Sequence, residues 1–300
     1  MNKLRKILLI LSLAFGSLLI IILAAGKYNT PMKTTLSPAF MLLGKPIGYT
    51  NHALTKILPV GEADEKEYGD AIRLRYGQYE TNDKNNKYVN VLIKHLSKNK
   101  KKSFPYTVYI INESYMNAFA LPGGVIFITE GLINNLSSES ELAGVIAHEI
   151  GHIELSHCLD TVRMELVARK IGMAPAGELA DFAVNILFRH SYSKTQEDAA
   201  DEYAFALLKE TKYTPFGISN AFKSMINEYP SDQKTADVIK EYFMSHPHLE
   251  LRADKFEHKA KEWLDNHEGE KRYLGELNIQ NKISFYQKTY EDEWIYGADE

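Results

Sequence analysis

Cysteine is all but missing from this 300-residue chain: Cys158 stands alone. No internal disulfide can form, so stability has to come from an apolar core or a bound metal. A basic excess is missing too. With 35 Lys and Arg against 39 Asp and Glu, the net charge is −4. That offers a phosphate backbone no attractive field, and the aromatic residues are not interleaved with cations as single-strand binders require. Nucleic acid is excluded as a partner. The one basic cluster, SKNKKKSF (Ser97 to Phe104), is expected to be a solvated loop without a function. Internal repeats are absent as well, and the last ~50 residues are too few for an array of about three ~34-residue helical hairpins.

Charge is missing from one stretch in particular. Ile7 to Ala25 carries none, and its length as a helix, about 28 Å, just spans a bilayer. Residues 1–26 therefore read as a membrane anchor or, because Ala24 to Gly26 supplies small residues at its end, as a signal peptide. Lys3, Arg5 and Lys6 precede the span, which predicts that the N-terminus stays inside and the remainder is exported. The expected location is extracytoplasmic, in the periplasm, either anchored in the inner membrane or released.

What is present is enough for a core, since 45% of the chain is hydrophobic. Residues 27–60, with NTPMKTTLSP, read as a tether and lead-in, and a domain is expected over 61–267. Apolar spacings of three and four predict helices over Glu62–Gly77 and Asn86–Asn99. Two β-branched and aromatic runs, Tyr106–Asn112 and Gly124–Thr129, predict strands. Helices follow at Ser138–Cys158, Gly177–His190, Lys194–Glu210, Pro215–Asn227, Gln233–Phe243 and Glu250–Asn266. The class is α+β with helices dominant. Residues 268–300 form a tail whose aromatic spacing predicts packing on the domain.

Within VIAHEIGHIELSHC (Val145 to Cys158), His148, Glu149 and His152 form HExxH. Residues four apart share one helix face about 6 Å apart, so two imidazoles can converge on one ion at roughly 2.0–2.1 Å each. Glu149, beside the first ligand, is placed to take a proton from water activated by zinc. A polar pentad on a helix otherwise apolar enough to be buried needs such a reason. His157 lies five residues after His152, about 140° around a continuous helix, and cannot reach the same ion unless the helix breaks. It and Cys158 read as packing residues.

A catalytic zinc needs a third protein ligand and one open position. SYSKTQEDAADEYAFALL (Ser191 to Leu208) offers Glu197 as that ligand, with Asp201 one turn on, able to accept the free ring N–H of a ligating histidine. The plainer reading of this pair is two solvated acids at a helix start.

HExxH followed by Ser193, Lys194, Glu197, Ala200 and Asp201 resembles the gluzincin family of zinc metallopeptidases that includes the CAAX prenyl protease and HtpX, with Lys194 where the family usually has Arg. The interval between the two motifs holds Arg163, Glu165, Arg169, Lys170, Glu178 and Asp181. It cannot span lipid, so the resemblance is to the exported, single-domain branch, similar to LoiP and the protease half of BepA. It implies a mostly helical zincin-like domain and one Zn2+ per chain on His148, His152 and Glu197. A small β-sheet would offer an edge strand at Asn117, Ala118, Phe119 and Ala120, along which an extended or unfolded polypeptide lies. SHPHLELRAD (Ser245 to Asp254) resembles the family's HPxxxxR motif, which implies His246 as oxyanion stabiliser, beside Glu149 as base, with Arg252 as a supporting residue. The implied activity is endoproteolysis of unfolded or misassembled envelope proteins. The competing expectation is a chaperone-like or latent metal-binding protein that holds clients on that strand without turnover. Nothing in the sequence sets an oligomeric state.

Overall fold

A computed structural model describes residues 60–77, 83–170, 192–228 and 246–296. The expected N-terminal anchor, the tether and the helices at Gly177–His190 and Gln233–Phe243 lie outside the described residues. Among the described residues no helix is long and apolar enough to cross a membrane.

Two helices come first among the described residues, α1 (Glu62–Tyr76) and α2 (Lys84–Leu96), followed by strands β1 (Thr107–Ile111), β2 (Ala118–Leu121) and β3 (Val125–Thr129). The sheet order is β1-β3-β2, with β1 parallel and β2 antiparallel to β3. Strand side chains alternate between faces, and here both faces are apolar. Val108, Ala118, Ala120, Ile126 and Ile128 join the main core, whereas Tyr109, Phe119, Leu121, Val125 and Phe127 join a second cluster with α1. That explains why the strands read as unbroken apolar runs. At the β2–β3 turn Gly123 adopts φ 79° and presses on Gly69 of α1, where a Cβ would meet the Gly123 carbonyl oxygen at 2.6 Å.

After the short α3 (Glu130–Asn135) comes α4 (Glu139–Glu154), which carries HExxH and is buried from Glu139 through Ile153. Ser138 caps it, its hydroxyl accepting from the Glu141 amide. The predicted single helix Ser138–Cys158 is in fact two. Ser156 takes the left-handed conformation at φ 63°, and α5 (His157–Lys170) starts afresh. Ser lacks glycine's freedom there, so tertiary contacts must hold it. They come from the basic run expected to be solvated. Lys102 Nζ donates to Ser156 Oγ at 2.9 Å and to buried Glu65 Oε2 at 2.7 Å. The Lys101 amide and the Tyr106 hydroxyl both bind Glu154 in the last turn of α4. The SKNKKKSF loop lies between a helix and a strand with Lys98, Asn99, Lys101 and Ser103 exposed, as expected, but it also serves as a clasp on the helix break through Lys102 and the Lys101 amide.

Two further helices pack on α4, α6 (Lys194–Glu210) and α7 (Gly217–Asn227), and α8 (Leu249–Asp265) packs on α7. Gly151 allows α6 to approach α4 closely, since a Cβ there would lie 3.1 Å from the Ala200 carbonyl oxygen. The C-terminal residues fold as β4 (Lys271–Tyr273), α9 (Glu276–Asn281) and β5 (Trp294–Tyr296), with β4 and β5 antiparallel. They serve α4 directly. The Glu139 and Ser140 amides, which an N-terminal turn leaves without helical acceptors, donate to the carbonyls of Gly275 and Leu274 at 2.9 and 3.0 Å. The α+β class and the dominance of helices hold.

Candidate metal centre

Helix α4 brings His148 and His152 to one face, and α6 brings Glu197 opposite them. A reciprocal capping box positions Glu197: Ser193 Oγ accepts from the Gln196 amide while Gln196 Oε1 accepts from the Ser193 amide. The Ser of the second motif therefore starts the helix whose first turn carries the acid. Lys194, next to it, is exposed on the rim of a cleft of about 320 Å3 that Asp198, His248, Leu251 and Arg252 also line.

The donor atoms converge. His148 Nε2 lies 3.0 Å from His152 Nε2 and 3.6 Å from Glu197 Oε2, and His152 Nε2 lies 3.4 Å from Glu197 Oε1. Ligand atoms held about 2.0–2.1 Å from a tetrahedral zinc stand about 3.3 Å from one another. His246 joins them. Its Nδ1 is 3.3 Å from His148 Nε2 and 3.2 Å from both Glu197 oxygens, so the four residues form one buried group able to hold a metal ion. His246 thus stands where a fourth ligand would, and not only facing the site. Its Nε2 points towards Glu149 Oε1, 3.7 Å away.

Outer contacts fix the inner ones. Asp201 Oδ1 sits 2.8 Å from His148 Nδ1, as the spacing of the second motif suggested. Arg252 grips Asp201 in two parallel hydrogen bonds of 2.7 Å and reaches Glu197 Oε2 with its other nitrogen at 2.6 Å. Its guanidinium also stacks over Phe222. Tyr192 stacks on the His152 ring at 3.9 Å, and its hydroxyl meets Cys158 Sγ at 3.5 Å. Sequence reasoning missed Tyr192, the contact of Arg252 with Glu197, and a partner for His152 at Nδ1, because each depends on segments brought together by the fold. Cys158 is a buried thiol whose pKa burial pushes up, which leaves it inert, as expected of a packing residue.

Charge is distributed to suit a cation. Burial alone would raise Glu197, but His246, His152 and Arg252 together outweigh it and hold the acid well below the usual carboxylate range. Asp201 is likewise lowered against its burial by Arg252 and His148. Burial drives His152 well below the ordinary histidine range and so keeps it neutral, the form that ligates. Glu149 goes the other way, raised chiefly by burial. Fully buried, it has no hydrogen-bond partner on either oxygen among the described residues. Such a group is costly unless something polar meets it. A zinc ion with water at the mouth of the donor set would do so, and the residues present fit that metal.

The predicted edge strand lies beside this carboxylate. β2, Ala118 to Leu121, is one of the two outer strands of the described sheet and directly follows Asn117, whose side-chain oxygen is buried without a hydrogen-bond partner among the described residues. The Ala120 amide is near enough to Glu149 to favour its ionised form slightly without making a full hydrogen bond.

The chain is similar to known metalloproteases. The chain is 26% identical over 165 residues to Metalloprotease YcaL of Escherichia coli, covering 47% of this chain and 62% of that protein. It is 27% identical over 161 residues to Metalloprotease LoiP of the same organism, covering 45% and 61%. To the putative beta-barrel assembly-enhancing protease of Vibrio cholerae it is 28% identical over 219 residues, covering 65% of this chain and 44% of the relative. It therefore spans less than two thirds of the length of each. The pattern of peptidase family M48 matches residues 83–260, which include HExxH, Glu197 and the His246–Arg252 motif and make up more than half of the sequence, and the chain belongs to that family.

Proposed function

We propose that this chain is a zinc endopeptidase acting outside the cytoplasm on unfolded or misassembled envelope proteins. The observation that carries the reading is the buried convergence of His148, His152 and Glu197, with an unpartnered Glu149 carboxylate between them and an outer strand. Zinc in that set supplies a Lewis acid that acidifies water and polarises the scissile carbonyl. The chain's own residues do the rest. β2 pairs with an extended substrate by main-chain hydrogen bonds, which grip any sequence. Glu149 takes the proton of the attacking water and passes it to the leaving amide nitrogen, a task that its raised pKa suits. Asp201 and Arg252 hold His148 and Glu197 in place. His246, whose Nε2 faces Glu149, would use a ring N–H to stabilise the oxyanion. The export-type N-terminus supports an envelope location, and one relative is named for enhancing β-barrel assembly.

The test is Glu149→Gln in the full-length chain. It should keep one zinc and lose hydrolysis of casein by at least ~100-fold, the range expected for a general base; undiminished hydrolysis would sink the mechanism.

One observation favours a second reading, a latent metal-binding protein that holds client segments without turnover. His246 Nδ1 lies among the donor atoms, 3.3 Å from His148 Nε2, and would be a fourth ligand to a metal held there. Casein that is bound by the wild-type chain and stays intact, with or without chelator, would decide for it.

A further inference from the structure

The two histidines of HExxH are supported from behind by different chemistry. His148 turns Nε2 to the donor set and Nδ1 to the Asp201 carboxylate at 2.8 Å. His152 also turns Nε2 to the donor set, but its Nδ1 meets another ring: His157 Nδ1, 3.0 Å away. An unbroken helix would carry His157 to the far side. Only the break at Ser156, with its left-handed backbone, lets α5 start close enough for the ring to fold back. The break is a built feature. Lys102 ties Ser156 to Glu65, and Glu154 fastens the preceding turn to the same loop. His157 is 8% exposed and makes an edge-on contact with the His152 ring, whose face Tyr192 covers.

We propose that His157 is a positioning residue for the zinc ligand His152, accepting the His152 Nδ1–H and thereby fixing both its tautomer and its ring plane. The inference rests on the zinc reading above. A neutral imidazole that ligates through Nε2 carries its hydrogen on Nδ1, so it donates there. His157 must then present a bare Nδ1 and carry its own hydrogen on Nε2. The ligand pair is thus oriented by one charged acceptor, Asp201, and one neutral acceptor, His157. The neutral one adds no further anion to a site that already buries Glu149, Glu197 and Asp201. Removing an outer partner of a metal-ligating histidine typically weakens metal binding about 10–100-fold.

Two variants separate an acceptor from a packing residue. His157→Asn places an amide oxygen where Nδ1 stood, and His157→Leu fills the space without an acceptor. The full-length chains are titrated with zinc against a chromophoric chelator. The expected result is a zinc dissociation constant weakened about 10–100-fold in His157→Leu and within about 3-fold of wild type in His157→Asn. Equal affinity in all three overturns the inference while leaving the zinc centre intact, and equal weakening in both variants assigns His157 to packing and overturns it too. A wild-type chain that takes up no zinc removes the centre itself, and the inference with it. If His157→Leu does not fold, the wild-type zinc-loaded chain with 15N-labelled histidine decides. Its two-bond proton–nitrogen correlations should show His152 with hydrogen on Nδ1 and His157 with hydrogen on Nε2 only. Hydrogen on His157 Nδ1 contradicts the role.

Discussion

Arg252 binds two carboxylates at once, Asp201 through a fork and Glu197 through the remaining nitrogen, and it is buried. Without it, Asp201, which it chiefly holds below the usual carboxylate range against burial, and Glu197, which His246 and His152 lower first and Arg252 lowers further, would lose a buried cationic partner. Removing one partner of a buried ion pair costs about 3–5 kcal/mol, so Arg252→Met should lose that much stability in zinc-free urea unfolding. The pH dependence has a definite sign. A depressed carboxylate contributes stability that is present above its unfolded pKa and is lost as pH falls through the folded one. In Arg252→Met the acid loss should therefore begin at higher pH than in the wild type, and an unchanged acid limb would contradict the clamp. Arg252→Lys keeps the charge but not the fork and should fall between.

Helix α4 links the site to the C-terminal residues. Glu139 in its first turn is fully buried and accepts from Ser284 Oγ at 3.0 Å, from the Phe285 amide at 2.8 Å and from the Tyr213 hydroxyl. Burial raises its pKa against those hydrogen bonds. A raised carboxylate favours the fold when protonated, and that contribution is lost as pH rises through the folded pKa. Glu139→Gln keeps an acceptor oxygen and removes the titration, so its stability should lack the wild type's decline above about pH 4.3, the ordinary Glu value; parallel pH curves would refute this.

The same helix shows what the sequence could and could not reveal. His148, Glu149 and His152 are legible because helical period and ligand spacing are local facts, whereas Glu197 is offered by its spacing to Asp201 and chosen through the family resemblance. The break after Leu155 carries no local signal, because a left-handed Ser156 is set by Lys102 and Glu65 from distant segments. The helix break that the position of His157 depends on is therefore not legible, although His157 is not among the converging donors. The place of His246 within the donor set is equally non-local, since α8 is held to α6 by Arg252.

At the scale of the whole molecule, a fold without disulfides has its functional helix buried along nearly its full length and held at both ends: by the C-terminal carbonyls at its start and by the lysine clasp at its finish. Such a frame keeps His148, His152 and Glu197 within bonding distance of one point. The direct test is zinc titration of the metal-stripped, full-length chain with casein hydrolysis followed on the same samples. Hydrolysis should rise in proportion to bound zinc and level off at one equivalent, and Glu197→Ala should neither retain zinc stoichiometrically nor cleave. Cleavage that is indifferent to zinc, or full zinc retention by Glu197→Ala, would contradict it.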